Sequence, residues 1–117
     1  MAKKIMIIDD DPNIVTYLED IFQDAGYATC KASDGADALA VVKQENPDLI
    51  TLDLEMPKEW GPRFYRELSQ EDGFSKIPVI VISGLSGNKY AIPKAVASFT
   101  KPFDREELLQ AVKSTIG

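Results

Sequence analysis

Two uninterrupted apolar runs, Ile5-Met6-Ile7-Ile8 and Val79-Ile80-Val81-Ile82, and a third broken only by a threonine, Leu49-Ile50-Thr51-Leu52, each stop abruptly at polar residues. A strand that is apolar on both faces has no side to offer to water, so such runs belong inside a parallel sheet covered by helices on both sides. The intervening segments fit that requirement. Ile14, Val15, Leu18, Ile21, Phe22 and Ala25 mark one helical face behind Asp11-Pro12, where an acid can cap the helix and a proline suits its first turn. A weaker strand around residues 27–31 leads to a helix with Ala38, Leu39 and Val42 inward, ended by Asn46-Pro47. Trp60-Gly61-Pro62 reads as loop before a helix carrying Phe64, Tyr65 and Leu68. A fifth strand, residues 97–100, meets Lys101-Pro102, and a last helix begins at Asp104 with Glu107 as a capping-box-like partner and Leu108, Leu109, Val112 and Ile116 inward. Five strands alternating with helices predict right-handed crossovers and a doubly wound α/β fold in one domain spanning residues 1–117.

Composition narrows the function. The 117 residues carry a net charge of −6, which argues against nucleic acid and anionic membrane as partners. No apolar stretch reaches membrane-spanning length, and Met1-Ala-Lys-Lys lacks a signal-peptide profile. A single cysteine, Cys30, cannot form an internal disulfide, so a reducing, cytoplasmic setting is expected, with Cys30 half-buried and inert. The chain has no histidine, which excludes Ser-His-Asp and Cys-His catalysis, HExxH zinc sites and a phosphohistidine of its own.

In an open parallel sheet, ligands bind beyond the carboxyl ends of the strands. Four of the five strands end there in Asp9-Asp10, Asp53, Ser83 and Lys101, so residues 43, 30 and 18 positions apart converge in one cleft. Crowded carboxylates repel each other by roughly 4 kcal/mol per pair at ~4 Å and an effective dielectric of ~20. A hard divalent cation with oxygen ligands resolves that repulsion, and without histidine or a cysteine cluster Mg²⁺ is the candidate. Lys101 adds a fixed positive charge, Ser83 a hydroxyl, and Gly84 an approachable backbone N–H. Such a cradle suits phosphoryl transfer to Asp53, because that chemistry needs positioning and charge neutralisation above all.

These motifs resemble the response-regulator receiver domain of two-component signalling. The matching stretches are Ile7-Ile8-Asp9-Asp10-Asp11-Pro12, Pro47-Asp48-Leu49-Ile50-Thr51-Leu52-Asp53-Leu54-Glu55-Met56-Pro57, Val81-Ile82-Ser83-Gly84 and Thr100-Lys101-Pro102-Phe103. Each is common alone; all four in order at strand ends are specific, and they cover essentially the whole chain. The resemblance implies a flavodoxin-like (βα)5 fold with sheet order 2-1-3-4-5. It implies Asp53 as phosphoacceptor from a phosphohistidine, Asp10 as direct Mg²⁺ ligand with Asp9 assisting, and the backbone carbonyl of Glu55 as a further ligand. Ser83 and Lys101 match the residues that contact the phosphoryl group, and Lys101-Pro102 matches a peptide bond that is usually cis. The implied partners are a sensor histidine kinase or histidine phosphotransfer protein and an unidentified output partner, with a phosphorylation-dependent homodimer left open. The chain is then a regulatory domain, not an enzyme, catalysing only its own phosphoryl transfer and slow self-dephosphorylation.

Two departures from the family pattern bear on output. Ser98 stands where the family commonly has a switch aromatic, and Phe99, one place later, reads as strand packing. The interval from Ser83 to Lys101 is several residues shorter than usual, which predicts a shortened fourth helix and an output through a remodelled 85–96 segment or another face. Glu55 and Leu85 occupy the positions that tune phosphoryl lifetime, and apolar Leu85 predicts slow self-dephosphorylation. Two other readings compete. One is a receiver-like interaction module whose output phosphorylation does not control. The other is a haloacid-dehalogenase-type phosphatase, which usually has an aspartate where this chain has Glu55.

Overall fold

The computed structural model describes residues 2–56, 60–84 and 95–117. Its elements run β1 (Lys4–Ile8), α1 (Pro12–Asp24), β2 (Ala28–Ala32), α2 (Gly35–Glu45), β3 (Leu49–Leu52), α3 (Trp60–Ser69), β4 (Val79–Ser83), β5 (Ala97–Thr100) and α4 (Arg105–Ile116). All strands are parallel, in the order β2-β1-β3-β4-β5. The predicted fold is therefore the observed one; Leu85 and the expected short helix before β5 lie outside the described residues.

Alternation along the strands divides the core in two. Ile5, Ile7, Leu49, Ile80 and Ile82 face Val15, Leu18, Ile21 and Phe22 of α1 and Leu108 and Val112 of α4. The odd-and-even partners Met6, Ile8, Ile50, Leu52, Val79 and Val81 face Ala38 and Val42 of α2 and Phe64 and Leu68 of α3. Phe22 and Phe64 are fully buried, one in each layer. Truncating either to alanine removes a core aromatic, a change that typically costs 3–5 kcal/mol.

Local chemistry sets the helix ends. Asp11, Asp34 and Asp104 cap α1, α2 and α4, each accepting a hydrogen bond from a backbone N–H of the first turn. Asn46 takes the left-handed conformation (φ 47°) that closes α2 just before Pro47. Two details differ from expectation. Ala25 is exposed because α1 ends at Asp24 and Ala25 is its C-cap. Trp60 is the first residue of α3 instead of a loop residue: Pro62 falls in the first helical turn, where its missing N–H has no intrahelical acceptor to lose.

Candidate functional site

Strand register assembles the site. Ile8 pairs with Leu52, so the next residues, Asp9 and Asp53, stand side by side at the carboxyl edge, and Asp53 N–H donates to the Ile8 carbonyl at 3.0 Å. Ser83 pairs with Thr100, which places Lys101 immediately beyond, its N–H donating to the Ser83 carbonyl at 2.8 Å. The Lys101–Pro102 peptide bond is cis.

Asp9 (2% exposed), Asp53 (3%) and Ser83 (0%) are buried, whereas Asp10 is exposed. One carboxylate oxygen from each of Asp9, Asp10 and Asp53 lies within 4.8 Å of the others. Lys101 Nζ reaches Asp9 Oδ2 at 2.9 Å and Asp53 Oδ2 at 3.5 Å. The other Asp9 oxygen accepts from the Asp11 N–H at 2.9 Å. The lysine thus leans on Asp9 more closely than on Asp53, a preference that spacing along the chain does not reveal.

Ser83 Oγ donates to Asp53 Oδ1 at 3.0 Å and accepts from the Leu54 N–H at 3.3 Å. Asp53 Oδ1 also accepts from the Glu55 N–H at 2.9 Å. At Gly84 a β-carbon would collide with Glu55 Oε1. The missing side chain therefore does more than expose a backbone N–H: it leaves the notch in which the Glu55 carboxylate lies. Gly61 plays a comparable part in α3, where a β-carbon would stand 2.6 Å from the Asp53 carbonyl oxygen and 2.7 Å from Leu54 Cα. That close approach was not visible in the sequence, since Gly61 read only as a loop glycine.

The electrostatics follow from burial. Dehydration pushes the Asp9 carboxyl above the ordinary aspartate range; the charge of Asp53 adds to this, while the Asp11 N–H and the Lys101 ammonium oppose it. Burial pulls Lys101 the other way, but its hydrogen bond to Asp9 and the charges of Asp9 and Asp53 outweigh that, and its pKa is raised. Lys101 therefore stays protonated. One ammonium among three carboxylates leaves the cluster net anionic, and an all-oxygen donor set of this kind fits Mg²⁺. A cleft of about 540 Å³, lined by Asp9, Asp10, Thr16, Lys31, Ser33 and Asp37 among others, opens beside the acid pair and keeps Asp10 accessible.

The other singled-out residues lie around this centre. Ser98 is exposed on β5, and Phe99 packs into the α1–α4 layer. Trp60 is half-buried, with the Arg63 guanidinium 4.7 Å above its ring. Cys30 is half-buried on β2. No helix among the described residues is long and apolar enough to cross a membrane.

Known proteins are similar to this chain over nearly its whole length. A family model described as the response regulator receiver domain matches residues 5–113. Protein Rrf1 of Nitratidesulfovibrio vulgaris is 38% identical over 96% of this chain and 81% of its own length. Sporulation initiation phosphotransferase F of Bacillus subtilis is 35% identical over 97% of this chain and 93% of its own. The crystal structure of a response regulator signal receiver domain from Bermanella marisrubri superposes with a TM-score of 0.87 at 28% identity, covering 100% of both chains.

Proposed function

This chain belongs to the response regulator receiver domain family, and on that premise we propose that it is a phosphorylatable two-component switch whose phosphoacceptor is Asp53. The observation that carries this reading is the shared pocket in which Asp53 Oδ1 meets the Ser83 hydroxyl and Asp53 Oδ2 faces the Lys101 ammonium.

In the reaction, a carboxylate oxygen of Asp53 attacks the phosphorus of a phosphohistidine on a partner kinase or phosphotransfer protein. The P–N bond breaks, and the imidazole leaves with the bonding electron pair and takes up a proton. Asp9, Asp10, Asp53 and the Glu55 backbone carbonyl would hold Mg²⁺, which supplies charge neutralisation for the transferring group when bound. Lys101 places a second positive charge where the phosphoryl oxygens gather, and Ser83 offers them its hydroxyl. Glu55, resting against Gly84, brings a further carboxylate near the acceptor and tunes how long the phosphoryl group survives, together with Leu85.

The test is incubation with acetyl phosphate and Mg²⁺ followed by intact-mass measurement. One acid-labile phosphoryl group per chain is expected, with none on Asp53→Ala. Sustained release of phosphate from many monoesters would point to a phosphatase instead, and no uptake at all to a docking module.

A further inference from the structure

The family's usual relay to the output surface uses an aromatic at the position held here by Ser98, whose exposed side chain on β5 has no ring to move. A different linkage from the phosphoacceptor is built into this chain. Of the three N–H groups in residues 53–55, that of Asp53 is fixed in the sheet on Ile8, but those of Leu54 and Glu55 are held by Ser83 Oγ and Asp53 Oδ1. Both acceptors belong to groups that phosphorylation alters. Converting the Asp53 carboxylate into an acyl phosphate removes its charge and weakens it as an acceptor, while three new anionic oxygens compete for the Ser83 hydroxyl. Leu54 is 2% exposed, so its N–H cannot turn to water when Ser83 leaves. An orphaned buried N–H is costly, and the peptide has to shift to restore a partner.

On its opposite side that peptide is in direct contact with α3. Gly61 packs against the Asp53 carbonyl and Leu54 Cα with no space for a methyl group, and Leu54, Phe64 and Leu68 share one core layer with Trp60 against it. Close-packed interiors transmit such displacements instead of absorbing them.

We propose that α3 is a responding element of the switch: phosphorylation draws Ser83 away from Leu54, the 53–54 peptide shifts, and the contact at Gly61 carries the shift into the first turn of α3. This relay rests on the reading of Asp53 as phosphoacceptor. Its visible end is the stack of Arg63 on Trp60, which is the single tryptophan of the chain.

The full chain is treated with Mg²⁺ alone and then with Mg²⁺ and acetyl phosphate, while intact mass, Trp60 emission and amide hydrogen exchange over residues 60–66 are followed. Phosphoryl uptake is expected to change the Trp60 emission beyond the Mg²⁺ baseline and to alter exchange in that segment at least twofold. In Gly61→Ala the added methyl has to push α3 off the 53–54 peptide, so the α3 response per phosphoryl group taken up should fall to less than half of the wild-type value. Ser83→Ala should show altered α3 exchange before any donor is added, and Ser83→Thr should restore the resting pattern. Phosphoryl uptake with α3 and Trp60 unchanged, or a full response in Gly61→Ala, would overturn the relay while leaving the phosphoacceptor reading intact. If Gly61→Ala does not fold, resting α3 exchange in Ser83→Ala decides the matter, and an unaltered pattern there refutes the relay. Absence of uptake by the wild-type chain refutes both readings.

Discussion

Among the described residues, Thr51 Oγ1 is the buried side-chain atom without a hydrogen-bond partner, although it sits in mid-sheet between Ile7 and Ile80. Valine has nearly the same shape and no hydroxyl to leave unsatisfied, so Thr51→Val is expected to raise stability by about 1 kcal/mol. Urea denaturation would show this as a higher midpoint at unchanged slope. Cys30 illustrates the opposite use of burial. Desolvation pushes its thiol up to about 11, so little thiolate exists near neutrality. Alkylation by iodoacetamide at pH 8 should run roughly a hundredfold slower than for free cysteine, and comparable rates would contradict the half-buried placement on β2.

Elements whose ends carry their own chemistry were the ones legible in advance. Asp11 and Asp104 each accept one first-turn N–H, which is why the acid-led starts of α1 and α4 were legible in the sequence; Asp34 does the same for α2, a role seen only in the structure. Asp104→Ala should cost about 1 kcal/mol, measured by urea titration, because α4 delivers Leu108 and Val112 to the core through that start. β1, β3 and β4 were legible because their apolar runs admit no solvent face, and Asp9, Asp53 and Ser83 because each directly follows such a run; Lys101 follows the partly exposed β5 and stood out through the Thr100-Lys101-Pro102-Phe103 stretch instead. The start of α3 was not, since Trp-Gly-Pro carries the residue types of a loop and only packing shows that Gly61 is there to let a helix touch the Asp53–Leu54 peptide. Nor could spacing show that Lys101 sits nearer Asp9 than Asp53, or that Asp9 is buried while its neighbour Asp10 is open; those are consequences of side-chain direction at a strand end.

For the molecule as a whole, the site works against the fold that holds it. Burial keeps the Asp9 carboxyl above its ordinary value, so the folded chain binds that proton more tightly than the unfolded chain does. Asp9 therefore opposes folding at neutral pH, and the opposition fades as the pH falls through its folded value. Asp9→Asn should accordingly raise metal-free stability at pH 7, with Asp53 still 3.5 Å from Lys101, and flatten the gain seen on mild acidification of the wild type. Mg²⁺ should stabilise the wild-type chain by about 2.7 kcal/mol at a hundredfold excess over its dissociation constant, and Asp10→Asn should lose most of that rise in the urea midpoint. The pairing of Lys101 with Asp9 spans 92 residues and is made from beyond the last strand of the sheet. During synthesis the ribosome therefore releases every acid of the pocket, and Ser83 with them, well before the lysine that steadies them. Lys101 reaches Asp9 and Asp53 only from beyond the edge strand β5, so the buried acids gain their ammonium partner only when that last strand docks on the sheet.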